Sequence, residues 1–283
     1  MTSRRQFQLL DFRPTSATRE ALHAYSRVIG DWLKKCRSKR KHWWHASLRP
    51  SLTGVTSGIV HAEIDFELSL DLKESLLLAR TSEGAQLSEG LNGQSASDLA
   101  QAIDDFLFDN GVDTGYVPAS APRGADRFVG YSAKHASSLG QTLAAVNAAM
   151  TEFRAGIREE TSPIQLWPHH FDLSMLWLPG ENIVGQDPDD EEHSDKQMNF
   201  GFTFGDEGIP EPYFYVTAYP TPDGLPSLEL PTGTVWQTEG FNGAVLLYKT
   251  LIKSGDPNTY LLDLWQTLLS AGREQMLTDH NTK

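Results

Sequence analysis

The residues best suited to chemistry lie in one stretch, Trp167-Pro168-His169-His170-Phe171-Asp172-Leu173-Ser174. On an extended strand side chains alternate, so His170, Asp172 and Ser174 would share one face and His169, Phe171, Leu173 and Met175 the other. An imidazole and a carboxylate two residues apart can converge on a divalent metal, or the carboxylate can fix the tautomer of a catalytic histidine. A zinc centre would need a further protein ligand, and Glu211, Glu239, His42 and His45 are of the right type. The catalytic candidates are therefore His170, Asp172 and Glu211, with His170 and Asp172 as the metal candidates. The competing reading packs His169 among aromatic rings and leaves His170 and Asp172 as a hydrogen-bonded surface pair.

A second constellation is Glu211 to Tyr219. Glu211, Tyr213, Tyr215, Thr217 and Tyr219 alternate with Phe214, Val216 and Ala218. Met198, Phe200, Phe202 and Phe204 similarly oppose Asn199, Gly201 and Thr203. If these strands neighbour the one carrying Asp172, a single sheet face gathers carboxylate, amide, hydroxyl and phenol groups. Aromatic surface with a few polar tips is how small-molecule sites are lined, and His42, His45, His169, Tyr213, Tyr215 and Glu239 are the ligand-binding candidates. A solvated face rich in Tyr and Thr for their β-propensity is the plainer alternative.

Other features carry less. Lys34 to Lys41 holds six Lys or Arg in eight positions and reads as a solvated helix end. Asp187 to Glu192 lacks the ordered oxygen spacing of a calcium loop. Cys36 lies on an apolar helical stripe and reads as packing. The sequence has no Walker loop, dinucleotide-binding glycine fingerprint, nucleophile elbow or paired Cys-x-x-Cys, which disfavours nucleotide-dependent and serine-hydrolase chemistry.

The elements that must position these groups follow from periodicity. Leu22, Tyr25, Ile29, Trp32 and Leu33 predict a helix over 18–35 with Thr18 as cap. An aromatic strand is expected over 42–48, a strictly alternating one over 59–72 and its partner over 76–81. A helix capped by Ser97 runs to Asp109. Residues 111–134 are rich in Pro and Gly and have no period, so they read as a join. A helix over 137–158, strands over 164–178, 197–204, 213–219 and 235–238, and helices over 241–253 and 258–276 complete the chain. The fold class is α+β, with antiparallel sheets covered on one face by helices, read as two pseudo-repeated α-β-β-β-α halves at 1–115 and 137–283 with a linker at 116–136.

Composition sets outer limits. The 283 residues carry a net charge of −13, which opposes general binding to nucleic-acid phosphates. No apolar run approaches a membrane span, and with one cysteine and no signal-like start the expectation is a cytoplasmic protein. The expected partners are a small-molecule ligand or another protein.

The stretch 167–173, taken with Glu211-Pro212-Tyr213-Phe214-Tyr215-Val216, Thr238-Glu239-Gly240-Phe241-Asn242-Gly243-Ala244-Val245 and His42-Trp43-Trp44, resembles a family of uncharacterised bacterial proteins, a domain of unknown function. The resemblance spans about residues 20 to 255. It implies a shared fold and brings no catalytic roles. The function expected is binding of a small molecule or partner on the polar-aromatic face. A hydrolase built on His170 and Asp172, with or without a metal, is the alternative.

Overall fold

The computed structural model describes residues 7–113, 126–190 and 192–277. In chain order α1 (Ser16–Cys36) precedes the short strands β1 (Arg49–Pro50) and β2 (Gly54–Thr56). Then come β3 (Phe66–Asp71), β4 (Leu76–Thr81), β5 (Gln86–Gly90), α2 (Ala96–Asp109) and α3 (Ala133–Ala155). The strands β6 (Glu160–Thr161), β7 (Gln165–Trp167), β8 (Asp172–Leu178), β9 (Gln197–Thr203) and β10 (Tyr213–Tyr219) follow. The chain closes with β11 (Thr234–Gln237), β12 (Gly243–Leu247), α4 (Tyr248–Ile252) and α5 (Pro257–Met276). This is an α+β protein with antiparallel sheets. Among the described residues no helix is long and apolar enough to cross a membrane.

The chain forms two compact units. One comprises residues 10–144 and 165–171, the other 1–9, 145–164 and 172–283. The chain therefore passes from unit to unit within α3, whereas most of the expected linker, 116–136, lies outside the described residues or inside α3. The expected repeat of one α-β-β-β-α order is not confirmed. In the first unit β1 to β5 form a meander in sequence order; in the second the order is β11-β12-β10-β9-β8-β6.

In the first unit the apolar stripe of α1 is buried as its spacing requires, with Leu22, Tyr25, Ile29, Trp32 and Leu33 all at 0% exposure. The Tyr25 hydroxyl stays satisfied by donating to the Gln94 carbonyl at 2.7 Å. In β3 the alternation holds, with Phe66, Leu68 and Leu70 buried and the residues between them half-buried. α2 starts two residues earlier than expected: Ser95, not Ser97, is its cap, and Ser95 and Asp98 form a reciprocal capping box. α1 likewise begins at Ser16, before Thr18.

Three expectations need correction here. Residues 42–46 are not a strand but 3-10 turns, with His42 and Trp43 at φ 53° and 54°. Ring pairs between His42 and Trp44 and between Trp43 and His45 stabilise this coil against aromatic β-propensity. The strand predicted over 59–72 begins only at Phe66. Asp65 diverts the chain before it, taking His61 Nδ1 at 3.1 Å and accepting from the Ala62 N–H at 3.3 Å, a local competitor to the ladder. Residues 243–247 are strand rather than helix, because β12 is paired on both sides, with β10 and β11, and its apolar run carries no period to tell the two apart.

In the second unit α5 lies on β9 and β10, and Gly272 permits close contact: a Cβ there would sit 2.1 Å from the Met198 sulfur. Phe153 of α3 meets Phe200 at 4.9 Å and Trp265 of α5 at 5.3 Å between ring centroids, which fills the apolar side of the sheet. Asp256 caps α5 as expected, accepting from the Thr259 N–H.

A two-pronged ion pair ties the end of α5 to the segment before β6. Arg273 donates to Glu159 through Nε at 2.6 Å and Nη2 at 2.7 Å. The guanidinium holds the Glu159 carboxyl below its ordinary 4.5. A depressed folded-state pKa stabilises above the unfolded value and loses that contribution as pH falls through the folded value. Glu159→Gln should therefore lower stability by about 1 kcal/mol at pH 7, and the gap from wild type should narrow below pH 4.5. Urea midpoints at a series of pH values measure this; a gap constant with pH would show that the pair contributes nothing ionic.

Candidate functional site

The stretch that opened the sequence reading is not extended. β7 stops at Trp167, residues 168–171 form a turn, and β8 starts at Asp172. The Trp167 carbonyl accepts from both the His170 N–H at 3.3 Å and the Phe171 N–H at 2.7 Å. Phe171 sits at φ 57°, in the left-handed region, which breaks the alternation between its neighbours. Pro168 is the physical cause in the sequence: it has no N–H for a ladder and presets a turn. His170 is consequently exposed while Asp172 is 6% exposed. The strand-face pair of His170 with Asp172, on which the metal and hydrolytic readings rested, is lost. Among the described residues no group of three or more His, Cys, Asp or Glu is placed to hold a metal ion.

Asp172 instead belongs to the polar face of β8, β9 and β10, which are adjacent as the sequence reading required. Across the ladder Asp172 aligns with Thr203 and Thr203 with Tyr213; one row on, Ser174 aligns with Gly201 and Gly201 with Tyr215. Gly201 has no side chain, so the Tyr215 ring lies across β9, where a Cβ would stand 2.1 Å from its Cζ. The hydroxyl thereby reaches the far strand, donating to Asp172 in a short hydrogen bond, and Ser174 hydrogen-bonds it as well. Burial, then the Asp172 charge, push the phenol pKa well above 10.0, so Tyr215 remains a donor.

Tyr213 repeats the device one row away. It donates to Asp206, and burial followed by that hydrogen bond raises its pKa as well. Phe241 stacks on its ring at 6.4 Å between centroids and 16° between planes. In the next row Leu176, Asn199 and Thr217 align. There the Asn199 side-chain oxygen is buried with no hydrogen-bond partner among the described residues.

The other sequence candidates lie apart from this network. Glu211 pairs with Lys249 Nζ at 2.7 Å at the surface. Glu239 is exposed, and its backbone carbonyl accepts from Gln237. His42 and His45 are each 6% exposed in the 3-10 segment, where His45 Nδ1 accepts from the Arg40 N–H at 3.2 Å and burial lowers its pKa. His169 lies in the turn beside α1. Sequence reasoning missed Asp206, whose signal was a turn-forming Gly-Asp-Glu-Gly seven residues before Tyr213. It also missed His23 and Arg27, which read only as the polar side of a helix.

Residues 7–282 match the model of a family of unknown function, DUF5996, and the chain belongs to that family. No curated protein and no solved structure matches it.

The close fit of Tyr215 over Gly201 has a measurable consequence. Gly201→Ala should cost about 1–3 kcal/mol, because the phenol must leave either its ring position or Asp172. In a Tyr215→Ala background the same change should cost little, since the space is then open. A double-mutant cycle by urea unfolding tests the coupling; additive costs would mean that the ring does not occupy the site above Gly201.

Proposed function

We propose that the chain binds a small organic molecule bearing hydrogen-bond donors, an amide, an amine or several hydroxyls, on the tyrosine face of β8, β9 and β10. The observation that carries this reading is the Asn199 oxygen, a buried acceptor without a partner in the row next to Tyr215. Leaving such a group unsatisfied costs about 1–3 kcal/mol, which a ligand N–H or O–H would recover. The neighbouring groups favour the same polarity. Tyr215 and Tyr213 spend their protons on Asp172 and Asp206, so the face offers mainly oxygen lone pairs. The aromatic rings supply apolar contact.

A binding role fits better than a hydrolytic one, because Ser174 is hydrogen-bonded to a phenol that holds its proton. The single cysteine suits a cytoplasmic setting.

Fragment screening by protein-observed NMR tests the reading. Donor-bearing fragments should give saturable shifts at Asn199, Tyr215 and Thr217. Asn199→Leu should weaken them roughly tenfold or more while leaving the urea midpoint unchanged or higher, since it removes an unpaired buried acceptor. Fragments that bind elsewhere, or equally well to Asn199→Leu, would remove the basis of the proposal.

A further inference from the structure

A different group of side chains stands in the first unit, on α1 and the turn that follows β7. His23, Arg27, Gly30 and Lys34 recur at four-, three- and four-residue steps and so share one face of α1. Gly30 leaves that face bare, and the Pro168 ring fills the space: a Cβ at position 30 would lie 2.8 Å from Pro168 Cγ. The close approach sets the turn beside the basic side chains. His23 Nε2 donates to the His169 carbonyl at 3.1 Å, and its ring stacks on Phe171 at 5.8 Å and 18°. His169 in turn lies 4.4 Å from His170 and 6.0 Å from Trp167 between ring centroids. Aromatic packing and a carbonyl, rather than carboxylates, therefore hold the imidazoles in place.

The electrostatics of this group are one-sided. The His169 pKa falls to about 4 although the residue is exposed overall, first through partial desolvation and then through His170, Lys34, His23 and Arg27, all positive or able to become so. His23 is lowered as well, by burial and then by Arg27 and His170 against the pull of the carbonyl it serves. Asp31 lies 3.5 Å from Lys34 in a pair about half exposed on both sides. Such a pair is weak enough to open. In a chain of net charge −13, five basic groups gathered on one exposed surface run against the composition.

We propose that His23, Arg27, Lys34, His169 and His170 form a binding site for the phosphate group of a soluble ligand. Arg27 and Lys34 supply fixed charge, His169 and His170 supply N–H donors, and His23, whose Nε2 proton is committed to the His169 carbonyl, orients the turn that carries them. Entry of a dianion opposes the desolvation and the repulsion that together keep His169 neutral, so binding and protonation of His169 are coupled. This site shares no residue with the tyrosine face, and either can fail alone.

The test is NMR titration of the full-length chain with inorganic phosphate against chloride at constant ionic strength. The ring signals of His23, His169 and His170 should move saturably with phosphate and not with chloride, and the His169 pKa should rise from about 4. Arg27→Ala and Lys34→Ala alter exposed side chains, so the fold should survive, and each should weaken phosphate roughly tenfold or more. Vesicles containing phosphatidic acid, the other source of such a group, should not co-sediment the protein. Phosphate acting no differently from chloride, binding undiminished in both variants, or vesicle binding without a response to free phosphate would each overturn the proposal.

Discussion

A carboxylate at 6% exposure organises the larger sheet. Removing Asp172 from water is unfavourable unless donors replace the lost solvation, and the donor that reaches it comes from two strands away. That reach imposes conditions on three strands at once. Residue 201 must lack a side chain, Tyr215 must stand in register with it, and Ser174 must stand on the other side. A slip of one residue in either ladder would turn the phenol to the apolar face, so the pairing of β8, β9 and β10 is specified by this one contact as well as by the packing of Phe200, Phe202 and Phe214 behind it.

The limits of β9 and β10 were the part of the fold most legible in the sequence. The period-2 pattern over 213–219 marked β10 at its true limits, and the same pattern over 197–204 marked β9 to within a residue. In both strands one face is apolar and buried while the other carries the polar side chains, which is when alternation carries information. The failures have a common cause. At 42–46 and 168–171 the composition is aromatic and strand-like, yet His42, Trp43 and Phe171 adopt positive φ. Ring pairs within 42–45 accompany the first turn, and the stacking of His23 on Phe171 and the closeness of α1 are tertiary contacts that no window of neighbours shows. At 243–247 the strand is buried on both sides, and an apolar run without polar interruptions has no period to read.

The candidate site was legible in kind but not in membership. Tyr213, Tyr215 and Asp172 were grouped by alternation and by the assumption that their strands were neighbours, and the ladder brings them together. His170 entered the same group through the belief that Trp167 to Ser174 was one strand. Pro168 was visible in the sequence, and its missing N–H argued for a break at that point. Giving that residue more weight than the tally of chemically useful neighbours would have separated the histidines from the aspartate.

That separation matters because it sorts the polar groups by charge. On the tyrosine face the acids are Asp172 and Asp206, each served by a phenol that burial and the adjacent charge keep protonated. Protons are already committed there, so what the face presents is lone pairs. On the α1 face a carbonyl and ring contacts hold the imidazoles, and each cation raises the cost of charging the next. The ligands proposed for the two surfaces thus differ in kind: a hydrogen-bond donor for one, an anion for the other. A proton relay through His170 and Asp172 would have required one continuous strand. The turn at Pro168 takes apart what the sequence offered as one catalytic pair.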